Sequence, residues 1–248
     1  MLFRSATLLS PQKRYAEALA LFEENRAARG AVYPPDHPRT LRLLVNLADL
    51  YGRVGRPAEE LSLLNEAYTG QRRVLGADHP DTLYTLSTLA ELSAAKQPAR
   101  SEAMAREALA GLTKRFGGGH PSTTEAALVL AKLLAGQRRY GEAELILRVS
   151  LAAIEPASGP EYERFQTLNE LGTIAAAQRH WSTAEPLLRE AYAGLLDLAQ
   201  STQGLDNVRE TGERLVDLYT AQGESAQAVD WRQRVAADAA RLAVRVAK

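Results

Sequence analysis

Residues 36–40 of the chain read Asp-His-Pro-Arg-Thr, and the pattern returns at 78–82 as Asp-His-Pro-Asp-Thr and at 119–123 as Gly-His-Pro-Ser-Thr. The three copies are separated by 42 and then 41 residues. A second marker repeats with steps of 41 to 44 residues, at Tyr15, Pro57, Pro98, Tyr140, Trp181 and Ser225. A fixed period of about 20–50 residues indicates a repeat architecture. The sequence therefore predicts several stacked copies of one structural unit.

Each unit contains two amphipathic helical patterns. In the first full unit, Leu44, Leu47, Ala48 and Tyr51 have the spacing i, i+3, i+4, i+7, which places them on one face of an α-helix. The later units carry equivalent stripes, at Leu86, Leu89, Ala90 and Ser93; at Ala127, Leu130, Ala131 and Leu134; at Leu168, Leu171, Gly172 and Ala175; and at Gly212, Leu215, Val216 and Tyr219. Strand signals are nearly absent. Because one helix hairpin cannot bury its own apolar face, neighbouring hairpins must stack. We predict an all-α fold, an α-solenoid of stacked antiparallel helix hairpins.

The residues between the helices fit this interpretation. We expect Gly30, Gly76 and Gly117 to close second helices in a left-handed conformation, and the prolines after the three histidines to occupy first turns. We interpret His37, His79 and His120 as capping residues and not as a metal site. Stacked helices lie about 10 Å apart, too far for three imidazoles to share one zinc ion. The glycines at 117–119 lack the strand and the Lys-Ser/Thr of a phosphate loop and are interpreted as a turn.

The composition excludes several function classes. The 30 Lys and Arg residues balance 30 Asp and Glu residues, which argues against a nucleic-acid partner. The absence of cysteine excludes disulfides, thiolate metal sites and a cysteine nucleophile, and it fits a cytoplasmic location. No apolar run approaches about 18 residues, so no membrane partner is expected. The chain contains no nucleophile elbow, no HExxH and no kinase signature. We therefore expect neither an enzyme nor a cofactor.

Two stretches carry a family resemblance, NLADLYGRVGRPAEELSLLNEAY at 46–68 and HWSTAEPLLREAY at 180–192. They resemble the tetratricopeptide repeat, and the 42-residue period with a leading His-Pro-x-Thr is similar to its kinesin-light-chain-type version. The resemblance implies a superhelix whose first helices line a concave groove for a partner peptide or helix. It also implies a single domain over 1–248, with a partial repeat at 1–35 and repeats at about 36–77, 78–118, 119–158, 159–202 and 203–248. Glu60 replaces the usual small residue of the second helix, and we expect looser packing there.

The groove residues follow from the helical faces. If the apolar stripes face the second helices, neighbouring positions point into the groove, and the expected peptide-binding residues are Arg42, Asn46, Asp49, Arg53, Tyr84, Thr88, Glu91, Lys132, Asn169 and Arg214. Asn46 and Asn169 are the preferred candidates, because a carboxamide can both donate to and accept from a peptide unit. Tyr84 is the expected aromatic anchor. The early groove positions are basic or neutral and the late ones acidic, which favours a partner with its acidic segment at the first units and its basic segment at the last.

Two other readings remain open. The stretch at 216–235, VDLYTAQGESAQAVDWRQRV, is similar to the closing repeat of tetratricopeptide regions attached to bacterial Ser/Thr protein kinases. It implies a regulatory or sensor arm of a signalling protein, a kinase or a transcription regulator. The second reading is self-assembly, in which the incomplete first hairpin docks onto another copy of the chain. This hairpin leaves part of the apolar surface of Leu2, Phe3, Leu8 and Leu9 uncovered. We therefore expect that the chain is a fragment or that another segment packs there. The terminal helix at about 224–248 is expected to be a solenoid cap, with Val235, Leu242 and Val246 on one side and Asp238 interrupting its basic face.

Overall fold

The computed structural model shows a chain of α-helices that divides into two compact units, Met1–Arg115 and Phe116–Lys248. The structure describes residues 15, 17–24, 33–155, 161–199 and 201–246. Within these ranges there is no β-strand, and the all-α prediction is confirmed. Leu2, Phe3, Leu8, Leu9, Gly30 and the side chain of Val246 lie outside the described residues, as does most of the partial repeat predicted at 1–35. A single domain over 1–248 stays a prediction.

The first unit is built from helix hairpins. Residues 17–24 are helical, and four further helices follow, α1 (Pro38–Arg53), α2 (Pro57–Val74), α3 (Pro80–Ser93) and α4 (Pro98–Phe116). The three-residue connection between α1 and α2 makes them antiparallel neighbours. Their shared core contains Leu44, Leu47 and Ala48 from α1 and Leu64 and Ala67 from α2, none of which is more than 2% exposed.

The second unit contains three hairpins. Its helices are α5 (Pro121–Gly136), α6 (Tyr140–Ala153), α7 (Glu161–Ala177), α8 (Trp181–Leu198), α9 (Thr202–Gln222) and α10 (Ser225–Val246). Each odd-numbered helix packs on the helix that follows it, and α6 also contacts α7 while α8 contacts α9. The first helices α5 and α7 also touch directly. This stacking of hairpins is the arrangement that the repeat period predicted.

The apolar stripes predicted for the first helices form the core. Every member except Ser93 is buried. Trp231 and Tyr192 continue the core into the last hairpin, with their rings edge to face at 5.2 Å. The stripes therefore face the second helices, as the i, i+3, i+4, i+7 spacing required.

The three histidines cap helices, which confirms their predicted structural role. In α1, α3 and α5 the backbone N–H two residues after the histidine donates to its Nδ1, at 3.2 Å for His37, 3.1 Å for His79 and 3.2 Å for His120. A proline occupies the first turn of each helix, where its missing N–H costs nothing. Gly76 and Gly117 have φ values of 92° and 83°, so their predicted left-handed conformation is also confirmed.

Glycines on several second helices leave room for a large side chain of the first helix in the same hairpin. A Cβ added to Gly70 would lie 2.4 Å from the Leu41 side chain, and one added to Gly194 would lie 2.2 Å from the Phe165 ring. The first hairpin also contains the reverse arrangement. A Cβ on Gly52 of α1 would lie 2.6 Å from a carboxylate oxygen of Glu60 on α2. The predicted loose packing at Glu60 is therefore wrong, because Glu60 fills the space that Gly52 leaves.

The terminal helix α10 contains a polar contact on its packed face. Val235 and Leu242 are 9% and 6% exposed, as predicted, but Asp238 is also buried, at 3%. The Tyr192 hydroxyl of α8 donates to its Oδ2 at 2.7 Å, and Arg241 forms an ion pair with its other oxygen. Burial and this carboxylate raise the pKa of Tyr192. The placement of Asp238 on the basic outer face is therefore wrong, since position 238 follows Val235 by three residues and shares its side of the helix.

Candidate binding faces of the first helices

In the first unit, α1 and α3 carry seven of the predicted groove residues. The side chains of Arg42, Asn46 and Glu91 are exposed, and Tyr84 is 40% exposed. The Thr88 hydroxyl donates to the backbone oxygen of Tyr84 at 3.2 Å, so this hydroxyl already has a local partner. Arg42, Asn46, Tyr84 and Glu91 are the exposed members among these four predicted residues and Thr88.

Arg53 and Asp49 are engaged with each other. The Arg53 Nε donates to Asp49 Oδ2 at 2.8 Å, and this hydrogen bond raises the pKa of the guanidinium. The same guanidinium lies 5.4 Å from the ring centroid of Tyr15, whose hydroxyl accepts a hydrogen bond from Nη1 at 3.4 Å. Arg53 therefore connects α1 to the preceding helical segment. Contact of Arg53 with a ligand stays a prediction, and its substitution would also disturb this contact.

Glu60 adds a carboxylate to this part of the first unit. Its burial raises its pKa above the ordinary value of 4.5, and the negative charges of Asp49 and Glu91 raise it further. A carboxyl group with a raised pKa destabilises the folded state once it is ionised. This cost is present above the raised pKa and disappears as the pH falls below 4.5, where the group is protonated in the folded and the unfolded chain.

We therefore expect Glu60→Gln to raise the free energy of unfolding by about 0.5 kcal/mol at pH 7, a figure that allows for partial solvent screening. At about pH 3.5 the gain should vanish, because Glu60 is then neutral in the parent as well. Urea unfolding at both pH values measures the difference. Glu59→Gln is the control, because the ion pair with Arg56 lowers the pKa of Glu59 and its neutralisation should bring no gain. A Glu60→Gln protein less stable than the parent at pH 7 would contradict the assignment.

In the second unit, three predicted groove residues surround one polar cavity. Lys132 of α5, Asn169 of α7 and Arg214 of α9 line a space of about 90 Å³. The other lining residues are Leu128, Gln166, Glu170, Leu195, Asn207 and Glu210. The Oδ1 atom of Asn169 is buried and has no hydrogen-bond partner among the described residues. Because a buried polar atom without a partner costs free energy, this carboxamide is suited to a ligand that supplies the missing donor.

Arg214 is held by two carboxylates, one four residues earlier on its own helix and one on another helix that local spacing does not indicate. Its Nη2 donates to Glu210 Oε1 at 2.7 Å within α9, and its Nη1 donates to Glu170 Oε2 of α7 at 3.4 Å. Glu170 is only 6% exposed, and a buried carboxylate requires such a partner. Arg214 therefore fixes α7 against α9 at the cavity wall. Direct contact of Arg214 with a ligand stays a prediction.

A second polar contact lies beside the cavity. The Gln166 Nε2 donates to the Tyr162 hydroxyl at 2.9 Å, and the Asn207 amide of α9 donates to the same oxygen. Burial raises the pKa of Tyr162. Asn207 was not among the predicted residues, although its spacing to Glu210 and Arg214, i, i+3 and i+7, places all three on one helical face.

The outer part of this face is acidic. Four carboxylates of α9 have the spacing i, i+4, i+7, i+11 and are exposed, namely those of Asp206, Glu210, Glu213 and Asp217. On a helix this spacing gives one continuous stripe. Arg214 borders the stripe through its hydrogen bond to Glu210. The second unit therefore presents a surface that complements a basic segment.

We also searched the described ranges for a metal site and for a membrane-spanning helix. No group of three or more His, Asp or Glu side chains there could hold a metal ion. None of the helices described above has both the length and the apolar character needed to span a bilayer.

Comparisons with known proteins agree on the fold. The family model of the tetratricopeptide repeat matches residues 1–73. Among curated proteins, none matches this chain. BtubC (BKLC) from P. vanneervenii is structurally similar, with a TM-score of 0.68 and 18% identity over 94% of this chain and 93% of that one. The chain thus has the fold of a tetratricopeptide-type α-solenoid.

Two further solved structures share this fold. The nearly identical repeats of a putative kinesin light chain from Podosopora anserina give a TM-score of 0.61 and 22% identity, with 83% of this chain and 97% of that one covered. A Rap protein complexed with Competence and Sporulation Factor gives a TM-score of 0.64 and 12% identity, over 94% of this chain and 72% of that one. These similarities show the fold alone.

Proposed function

We propose that this protein is a non-catalytic scaffold that binds a partner polypeptide on the faces of its first helices. The observation that carries the proposal is the cavity in the second unit, where α5, α7 and α9 bring Lys132, Asn169 and Arg214 together. A preformed helical surface binds with little ordering cost on the receptor side. The proposal includes a cytoplasmic location, in keeping with a chain without cysteine.

The chemistry of the cavity favours a peptide backbone as the group bound there. The carboxamide of Asn169 can pair with a peptide unit whatever side chain that unit carries. Lys132 supplies a donor on one side, and the acidic stripe of α9 lies on the other. A partner with basic residues next to a segment that enters the cavity fits this arrangement. In the first unit, Asn46 offers the same carboxamide chemistry on α1.

The test begins with a random 12-residue peptide library displayed on phage and selected on the full chain. The peptides obtained are synthesised and measured by calorimetry. Loss of one hydrogen bond to a ligand costs about 1–1.5 kcal/mol, so Asn169→Ala and Lys132→Ala should each weaken binding roughly tenfold for peptides of this face. Asn46→Ala should act in the same way on peptides that bind the first unit.

The matched control is Arg148→Ala. Arg148 lies on the second helix α6, its side chain is 55% exposed, and its ion pair with Glu144 is a surface pair within one helix. This variant should bind like the parent, and circular dichroism should show the same helicity for all variants. If every selected peptide binds Asn46→Ala, Lys132→Ala and Asn169→Ala as tightly as the parent, the proposal is wrong.

A regulatory arm that responds to a small signalling ligand is the second candidate. The observation in its favour is that a protein of this fold, the Rap protein, was solved complexed with a factor. In that case a soluble ligand would occupy the same helical faces and alter the partner affinity. If the selected peptides bind with the same affinity in the presence and absence of a small ligand, the scaffold function is favoured over the regulatory arm.

A further inference from the structure

Four of the turns between first and second helices, those after α1, α5, α7 and α9, share one backbone geometry, whereas the turn after α3 differs. After α5, the N–H of Arg138 donates to the Ala135 oxygen and the N–H of Arg139 to the Leu134 oxygen, both at 2.9 Å. After α7, Arg179 and His180 repeat the two bonds at the same lengths. This is the helix-closing motif in which one residue takes a left-handed conformation. Glycine occupies that position after α1 and α9, with φ of 76° at Gly55 and 80° at Gly223.

After α5 and α7 the left-handed position is an arginine. Arg138 has φ of 61° and Arg179 has φ of 59°, and in the described part of the chain they are the only residues other than glycine with positive φ. For a residue with a Cβ this conformation costs free energy that glycine avoids. Asparagine and aspartate can recover some of this cost through local hydrogen bonds, but arginine has no acceptor with which to do so.

The two arginine side chains lie on the surface. Both residues are exposed, and neither guanidinium has a hydrogen-bond or ion-pair partner among the described residues. Since α5 and α7 contact each other, and packed helix axes lie about 8–10 Å apart, we expect the turns at their C-terminal ends to be neighbours on one edge with a similar spacing. Two turns therefore hold an arginine in a conformation that costs free energy, and both place an exposed guanidinium group at this edge.

From this arrangement we infer that Arg138 and Arg179 form a docking edge for an acidic, extended segment of a partner protein, separate from the groove. The spacing defines the segment. A polyproline II chain has three residues per turn and rises about 3.1 Å per residue, so side chains three residues apart point the same way and lie about 9 Å apart. Two glutamates at i and i+3 can thus reach the two guanidinium groups, and bidentate geometry suits arginine better than lysine for this contact.

The probe is the peptide acetyl-Glu-Pro-Pro-Glu-Pro-Pro-Glu-amide, titrated into the full chain at low salt and followed by amide NMR shifts. We expect saturable shifts centred on residues 138 and 179. The double variant Arg138→Gly with Arg179→Gly should bind at least fivefold more weakly while its urea midpoint rises, because glycine relieves the strain. A peptide with three adjacent glutamates followed by four prolines should also bind more weakly than the spaced one.

The control removes the same charge from the same unit. Arg148→Ala with Arg189→Ala changes two arginines that are also 41 residues apart, but that lie on the second helices α6 and α8 in ion pairs with Glu144 and Glu185. Retained binding in this control supports the edge. An equal loss in both double variants would show attraction to net charge only and overturn the inference. A lowered urea midpoint in the glycine variant would overturn it too, because the arginines would then serve folding.

Discussion

Gly119→Asp, which would restore the Asp-His-Pro pattern of the two earlier copies, is expected to destabilise the protein by about 2–3 kcal/mol. A Cβ at position 119 would lie 2.2 Å from the backbone oxygen of Ala153 and 2.9 Å from its carbonyl carbon. Real Cβ atoms do not come so close, and a backbone cannot move aside as the end of a flexible side chain can. One of the two chain segments would have to shift and lose packing.

The contact arises from the way α6 ends. It has 14 residues, against 18 in α2, and the chain leaves it through Ile154 in an extended conformation, with the Ile154 side chain 4% exposed. This path brings the last turn of α6 against the loop that begins α5. Urea unfolding followed by circular dichroism measures the loss of stability. Gly141→Ala is the matched control, because no atom lies within 4 Å of its added Cβ, and it should be neutral or slightly stabilising. A Gly119→Asp protein as stable as the parent would refute this account of the turn.

Asp238→Ala should lower the free energy of unfolding by about 2–3 kcal/mol, because the Tyr192 hydroxyl would lose its acceptor inside the core. Tyr192 is 1% exposed, so water cannot replace the carboxylate without a rearrangement. Asp238→Asn keeps an oxygen acceptor for the hydroxyl. It weakens only the ion pairs with Arg241 and Arg234, and because those arginine side chains are 77% and 51% exposed and can be hydrated without the carboxylate, it should cost less than the alanine variant.

A double-mutant cycle separates this hydrogen bond from general packing. With Tyr192→Phe the hydroxyl is gone, and a further Asp238→Ala change should cost clearly less than it does in the parent chain. Thermal and urea unfolding of the four proteins supply the cycle. Strictly additive losses would mean that the hydroxyl and the carboxylate do not stabilise each other, contrary to the 2.7 Å contact.

Periodicity was sufficient to predict the fold because burial repeats with it. The Leu44 to Tyr51 stripe and its copies lie in the core, and the three histidines cap helices, since both features depend only on neighbours within one hairpin. The contacts of Arg214 and Tyr192 were missed for the opposite reason. Glu170 and Asp238 come from other hairpins, 44 and 46 residues away, and no local pattern specifies which side chains meet across that distance.

The candidate site residues stay a prediction, but the structure shows where they lie. The helical faces predicted Lys132, Asn169 and Arg214 as groove residues, and the structure brings these three together around one cavity, although their contact with a ligand stays a prediction. Arg53, predicted by the same reasoning, already contacts Asp49 and Tyr15. The left-handed arginines could not have been predicted, because an arginine in a polar turn carries no sign of its φ value. Asp238 could have been placed correctly from its spacing to Val235 and Leu242 alone.

In two hairpins a glycine on one helix faces a large residue on the other, Gly52 with Glu60 and Gly194 with Phe165. This pairing limits how such a chain can change during evolution or in the laboratory. In each case one helix leaves space for a large side chain of its own hairpin partner, and in these two hairpins each helix carries both a glycine and a large residue that fills the partner's space. Exchanging a single helix between copies would bring two large residues together or leave a void. The smallest segment that can be duplicated, transplanted or shuffled without redesign is therefore a whole hairpin.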